Sequence, residues 1–235
     1  MVPPPHTPPD DARGDAPLHG YRGLDTPAPL LERPQAVTVA VGREAGSRGV
    51  SVGRAVAARL GWPAYPQDAL DSLAHDADAR AELLRALPTA AVQWADLETA
   101  KLLFRRKLPP DDPAAAVARL IFALAAKGEC VLVGRGAGFL LPRATTVHVR
   151  VVAPFDDRAA YLGQLLRLTA DEGAKEVIQR DARRAEFVAR LTDRALHDPT
   201  SYDAMLNSAR LPDALIAEVI AGLVRAKQRQ PGDAQ

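Results

Sequence analysis

Cysteine is nearly missing from this chain: Cys130 is the single one in 235 residues. One thiol excludes an internal disulfide framework, and its place inside an apolar run reads as core rather than nucleophile or metal ligand. An excess of one charge is missing too. The 30 Lys and Arg against 29 Asp and Glu leave a formal net charge of +1. That gives no bulk electrostatic case for nucleic acid or an anionic membrane as a partner. No apolar run approaches the ~20 residues a bilayer span needs. The N-terminus lacks the uninterrupted apolar segment of a signal peptide. His75, His148 and His197 show no ligand spacing, so no metal site is assigned. The expectation is a cytoplasmic protein with neither membrane nor nucleic acid as partner.

What is present is ordinary globular material with one unusual end. Hydrophobic residues make up 47% and charged residues 25%, enough for a sizeable α/β core. Residues 1–35 hold 9 of the 20 prolines, including Pro3-Pro4-Pro5 and Pro8-Pro9. Proline fixes φ and removes donors, so this arm reads as extended and disordered. A protein partner that binds proline-rich peptides is one reading of it, and a plain tail is the other. The folded domain is expected over 36–228, with a frayed end over 229–235.

Strand and helix signals alternate along that domain. Val37 to Val41 is a β-rich apolar run, and Val50 to Leu60 has the apolar spacing of a helix. Gly61 to Pro66 is breaker-rich with room for a very short strand. Helical patterns follow over Gln67–Leu87 and Thr89–Lys107, with Trp94 read as core. Asp111-Asp112-Pro113 starts another helix, which stops at Lys127-Gly128. Cys130 to Val133 reads as a parallel strand covered on both faces. Thr146–Val152 is a strand, Pro154 to Leu168 a helix, Asp171–Leu196 a helix, Tyr202–Asn207 a strand and Leu211–Lys227 a helix. Such alternation predicts a three-layer α/β fold, a parallel sheet flanked by helices with right-handed crossovers.

The stretch that points to chemistry joins the first strand to the first helix. Gly42-Arg43-Glu44-Ala45-Gly46-Ser47-Arg48-Gly49 is rich in glycine and charge. Strand, glycine turn and helix together direct backbone N–H groups at one anion. The standard pattern G-x-x-x-x-G-K-[ST] is not matched. Arg43 and Arg48 fall at its glycine positions and Gly49 at its lysine, followed by Val50 and Ser51. An ordinary strand-to-helix turn is the competing reading of this stretch.

Three segments together resemble the cytidylate kinase-like family of P-loop nucleotide kinases, over roughly Val37 to Lys227. The turn just described resembles that family's variant phosphate loop, R-E-x-G-S-G-G, which also lacks the standard lysine. Val131-Leu132-Val133-Gly134-Arg135-Gly136-Ala137-Gly138 resembles the strand and G-R-x-x segment facing the acceptor nucleotide. Asp198-Pro199-Thr200-Ser201-Tyr202-Asp203-Ala204-Met205-Leu206-Asn207-Ser208 resembles the D-P-x-x-Y-D-x-x-[IL]-N-[TS] ending, the most specific of the three. Arg180-Asp181-Ala182-Arg183 is similar to the R-D-x-R of a cytidylate kinase lid, here about 169–197. The chain departs from the family at Arg48 (usually glycine), Val50 (arginine), Pro66 (aspartate) and Gly136 (aspartate in G-R-D).

The resemblance implies a P-loop kinase-like fold. It also implies transfer of a phosphoryl group from ATP, with Mg²⁺, to a nucleoside monophosphate such as CMP or a similar small acceptor. In that reading Gly46 allows close approach, Ser47 and Gly49 donate amides, and Ser51 touches Mg²⁺ or a phosphate oxygen. Arg48 stands in for the lysine, Arg135 holds the acceptor phosphate, and Arg180 and Arg183 close from the lid as catalytic cations. A binder that kept the fold and lost turnover is the alternative function. Other pairings compete with these roles: Arg43 with Glu44 across the turn, and Arg180, Arg183 and Arg184 with acids one helical turn away. Asp68 and Asp71 compete as helix caps.

Overall fold

Five short parallel strands form the centre of the protein. In the computed structural model, which describes residues 35–229, they are β1 (Thr38–Arg43), β2 (Ala64–Pro66), β3 (Val131–Val133), β4 (Thr146–Val152) and β5 (Ala204–Asn207). Their order in the sheet is β2-β3-β1-β4-β5, and every pairing is parallel. Parallel neighbours need crossovers, and helices supply them. On one face lie α1 (Gly49–Leu60) and, near the C-terminus, α9 (Asp213–Arg229). On the other lie α2 (Gln67–His75), α3 (Ala77–Arg85), α4 (Thr89–Arg106) and α5 (Pro113–Lys127). The three-layer α/β expectation therefore holds.

The alternation of strand residues decides which core each side chain joins. Val39 and Val41 of β1 and Val131 and Val133 of β3 pack with Val52 and Val56 of α1 and Ile216 and Ile220 of α9. Ala40 and Leu132 point the other way, into Leu120, Ile121 and Leu124 of α5. Each such fully buried aliphatic chain contributes about 1.5–3 kcal/mol. Strand β4 follows the rule on one face only: Val147, Val149 and Val151 join the α1/α9 core. Its other face carries His148 and Arg150, both buried. Polar side chains there mark where the second helix layer gives way to a cavity.

Two further helices, α7 (Phe155–Leu166) and α8 (Ala170–Leu191), form a hairpin packed on the bend after β1 through Ala45, Leu162 and Val177. A complete capping box starts α8: the Glu172 N–H donates to Thr169, and Glu172 accepts from the Thr169 N–H. A four-residue helix, α6 (Ala137–Leu140), follows β3.

Several expectations are corrected in detail. The helix expected over Gln67–Leu87 is two, because Asp76 ends α2 and caps α3 by accepting from the Asp78 and Ala79 N–H groups, each at 3.0 Å. The helix expected to reach Leu196 stops at Leu191, and the last strand begins at Ala204, since Pro199–Ser201 form a 3-10 turn. Helix α9 runs on to Arg229, the first residue of the expected frayed end over 229–235. Trp94 is core, edge-on to Phe122 at 5.6 Å. Cys130 is core too, and burial pushes its thiol up to about 12. No helix among the described residues is long and apolar enough to cross a membrane. The proline-rich arm lies outside the described residues.

The break at Asp76 is testable. Asp76→Ala removes a two-bond cap and is expected to lower stability by about 1 kcal/mol in chemical denaturation. A single continuous helix would leave stability unchanged.

Candidate functional site

The site starts from the bend. Strand β1 ends at Arg43, and the chain turns through Glu44 to Arg48 into α1. Gly46 adopts φ 79°, and a Cβ on it would collide with the Arg158 carbonyl of α7. Both the left-handed backbone and the close approach demand glycine. The N–H groups of Gly46, Arg48, Gly49, Val50 and Ser51 have no acceptor among the described residues. They gather at the positive end of the α1 dipole, the usual seat of an anion.

A protein carboxylate already reaches this bend. The Ala45 N–H donates to Asp181 Oδ1 at 2.7 Å. Asp181 is held from behind by Arg158 Nη1 at 2.6 Å and Arg184 Nη1 at 3.0 Å. It thus brings one negative charge from α8 to the lip of the loop. Glu44 lies between two other guanidinium groups, Arg150 and Arg158, each at 3.4 Å. It does not pair with Arg43.

Beside the bend, at the carboxyl ends of β1 and β3, is a cavity of about 520 Å³. This is where open parallel sheets bind ligands. Six arginines line it (Arg43, Arg135, Arg150, Arg180, Arg183 and Arg184), and Asp68 and Asp71 are the acids in the same wall. Phe139, Phe187 and Tyr202 supply apolar wall. The arrangement can bind a compact polyanion attached to a flat or apolar group.

A model of the cytidylate kinase-like family matches residues 38–210. The chain belongs to the cytidylate kinase-like family. Among curated proteins nothing matches. Among solved structures the chain is similar to an uncharacterized protein from Eubacterium ventriosum, at 18% identity and TM-score 0.63, covering 81% of this chain and 98% of that one. It is also similar to shikimate kinase from Bacteroides thetaiotaomicron, at 17% identity and TM-score 0.43, covering 81% and 96%. The first likeness shows a shared fold.

Within this cytidylate kinase-like site, the residues singled out by sequence fall into two groups. Arg135, Arg180 and Arg183 come together around the cavity. Arg135 is engaged by Asp71, with Nε 2.6 Å from Oδ1 and Nη2 on Oδ2, and lies over the Phe187 ring at 4.4 Å. Asp71 therefore pairs instead of capping α2. Arg180 pairs with Glu176 at 2.6 Å, and Arg183 stands 3.8 Å from the same carboxylate. The second group, Gly46, Ser47, Arg48, Gly49 and Ser51, belongs to the bend and not to the cavity wall. The Ser47 hydroxyl is turned inward, 2.9 Å from the Glu44 carbonyl and 3.0 Å from that of Val151. Its N–H is directed at the Glu44 carbonyl at 3.3 Å. Arg48 is held by the C-terminal segment: it donates to the Ser208 carbonyl and faces Asp213 Oδ1 at 3.4 Å.

The segment from Asp198 to Ser208 is anchored so as to hold that tether. Asp198 caps the 3-10 turn, and the Tyr202 hydroxyl donates to the Leu196 carbonyl at 2.8 Å and accepts from Arg150 at 3.1 Å. Asp203 accepts from the His148 N–H at 2.7 Å, and the Ser208 hydroxyl donates to the Ser47 carbonyl at 2.8 Å. The segment is a clamp that fixes the back of the bend between β1 and α1.

Sequence reasoning missed Arg43, Arg150, Arg158 and Asp181. Polar residues alternating with valine in β4 were the available signal for Arg150. Arg43 and Asp181 stood within the quoted motifs, but their contacts to Gln67 and to Ala45 and Arg158 did not show there, and nothing local marked the contact of Arg158 with Asp181. The same alternation buries His148. Its Nδ1–H donates to the Ser201 carbonyl at 2.9 Å, and burial pushes its pKa down to about 4. Between pH 4 and the ordinary value near 6.5 the unfolded chain binds the proton better, so stability is lost as pH falls through this window, by up to ~3 kcal/mol. Urea unfolding at stepped pH measures it. His148→Gln is expected to flatten the dependence, and an unchanged slope would assign the acid sensitivity elsewhere.

Proposed function

We propose that this protein transfers a phosphoryl group from a nucleoside triphosphate, ATP in the simplest case, to a nucleoside monophosphate such as CMP or a similar small acceptor. One observation carries this reading: two anion-seeking places stand side by side at the carboxyl ends of β1 and β3. The first is the set of amides at the start of α1 that have no acceptor among the described residues. The second is the arginine-rich cavity. Phosphoryl transfer asks a protein mainly for positioning and charge neutralisation, and these features suit both tasks.

In this reading Gly46 and Gly49 present amides to the triphosphate tail. Arg180 and Arg183 reach it from α8 by leaving Glu176, and Arg48 would have to leave the Ser208 carbonyl to do so. Free amides fit a polyphosphate directly. Magnesium fits only as an ion carried largely by the phosphates, since no cluster of three ligating side chains occurs among the described residues. With Asp71 held by Arg135, Asp68 and Ser51 are the nearby oxygen donors left to it. Bound there, the ion would neutralise phosphate charge. Nucleotides and a reduced thiol suit the cytoplasm, and the proline-rich arm is proposed to serve as a tail.

A second reading is favoured by one specific contact. Asp181 already sits on the Ala45 amide, as expected of a binder whose loop has been partly closed. A coupled assay with ATP, Mg²⁺ and a panel of nucleoside monophosphates separates the two. Turnover with at least one acceptor is expected. Triphosphate binding in calorimetry with no acceptor consumed would favour the binder. Asp181→Ala is expected to tighten triphosphate binding about tenfold or more, as a charged hydrogen bond no longer competes. Unchanged affinity would mean that the carboxylate and the phosphates do not share the bend.

A further inference from the structure

We propose that Arg43 is the anion-binding residue of the cavity, and that it takes the phosphate monoester dianion of the acceptor. This rests on the phosphoryl-transfer reading for the word acceptor, and on the following geometry for the rest.

Of the six arginines in the cavity wall, five have an acidic partner. Arg135 has Asp71, Arg150 has Glu44, Arg180 and Arg183 share Glu176, and Arg184 has Asp181. Arg43 has none. Its Nη2 donates to the Gln67 Oε1 at 2.9 Å, and its other side-chain donors have no acceptor among the described residues. A neutral amide satisfies one of five donors and none of the charge. Leaving a desolvated guanidinium so is costly unless an anion arrives to complete it.

The surroundings sharpen the case. Burial, then Arg184 and then Arg135, push the Arg43 pKa down to about 9, against a weaker opposite pull from Asp68 and Asp71. Three guanidinium groups from β1, α8 and the turn after β3 thus repel one another around the same space. Arg184 Nε and Arg150 Nε, both in that wall, are buried without a hydrogen-bond partner. Repulsion among cations and unfilled donors describe a place that gains free energy when a multiply charged anion enters. A dianion meets that demand better than a carboxylate, because it offers three oxygens to donors on different elements.

Position makes the ligand an acceptor phosphate. The Arg43 stem lies over Gly49, the first residue of α1, and its guanidinium lies against Gly134. A Cβ at either glycine would collide with it. The side chain therefore spans from the amides that suit a triphosphate tail to the cavity that suits the acceptor. Arg135, the sequence-based candidate for this task, is already bound at two points to Asp71.

Inorganic phosphate is the direct probe, with the full-length chain. Phosphate is expected to raise the melting temperature saturably and to give a calorimetric isotherm. Arg43→Gln is expected to weaken phosphate binding at least tenfold while leaving ATP binding at the bend within about threefold. Phosphate binding unchanged within twofold in Arg43→Gln would overturn the proposal. Should that variant fail to fold, guanidinium NMR of the unaltered protein decides instead. The Arg43 Nε–H resonance must move on adding phosphate, and a stationary signal overturns the proposal. Titration with ATP runs as a separate arm. Its failure in the unaltered protein would remove the transfer reading and leave Arg43 as a phosphate site.

Discussion

Backbone amides that follow a buried strand into a helix cannot all find acceptors, and the whole site depends on that constraint. In this protein β1 is pinned between β3 and β4, so its exit into α1 is fixed. The N–H groups from Gly46 to Ser51 that lack acceptors among the described residues then gather at the start of α1. The lysine that usually accompanies such a loop is missing, and arginines surround the place instead. The electrostatic demand for an anion is met from several elements at once, by α8, by the turn after β3, and by β1 itself.

That solution has a structural consequence. Guanidinium groups brought close repel one another, and most are relieved by acids from neighbouring turns. Glu44, Asp71, Glu176 and Asp181 each do this. Asp181 does more, since it also accepts from the loop amide of Ala45. One carboxylate of helix α8 therefore joins that helix to the bend after β1. In the phosphoryl-transfer reading proposed above, a phosphate that takes the Ala45 amide displaces Asp181 from it. Arg43 stands apart because it has no ion-pair partner among the described residues, Asp68 and Asp71 acting on it only weakly.

Much of the fold was legible in the sequence because its signals are local. Apolar runs set β1, β3 and β4, and the Asp112-Pro113 start and Lys127-Gly128 stop bounded α5. The Thr169 to Glu172 capping box was not read, the helix being started at Asp171, and the break at Asp76 was read through, since aspartate inside a leucine-rich pattern looks like a polar helix face. The candidate site was half legible. Arg135, Arg180 and Arg183 were found from motifs, and they do share a cavity. Arg48 was given the role of the missing lysine from its place in the loop, but its side chain is held by Ser208 and Asp213, which lie far along the chain. Arg43 was read as a partner for Glu44 or as a loop residue, because no local pattern shows that Gly49 and Gly134 leave room for its stem and head. Long-range pairings decide such roles, and one sequence does not display them.

Amide-resolved NMR of the full-length protein, titrated with a non-hydrolysable nucleoside triphosphate and Mg²⁺, tests the central claim most directly. The account predicts large, saturable shifts at Gly46, Arg48, Gly49 and Val50, with Ala45 moving as its bond to Asp181 is exchanged. Saturable binding that leaves those amides unmoved, or no binding at all, would contradict it.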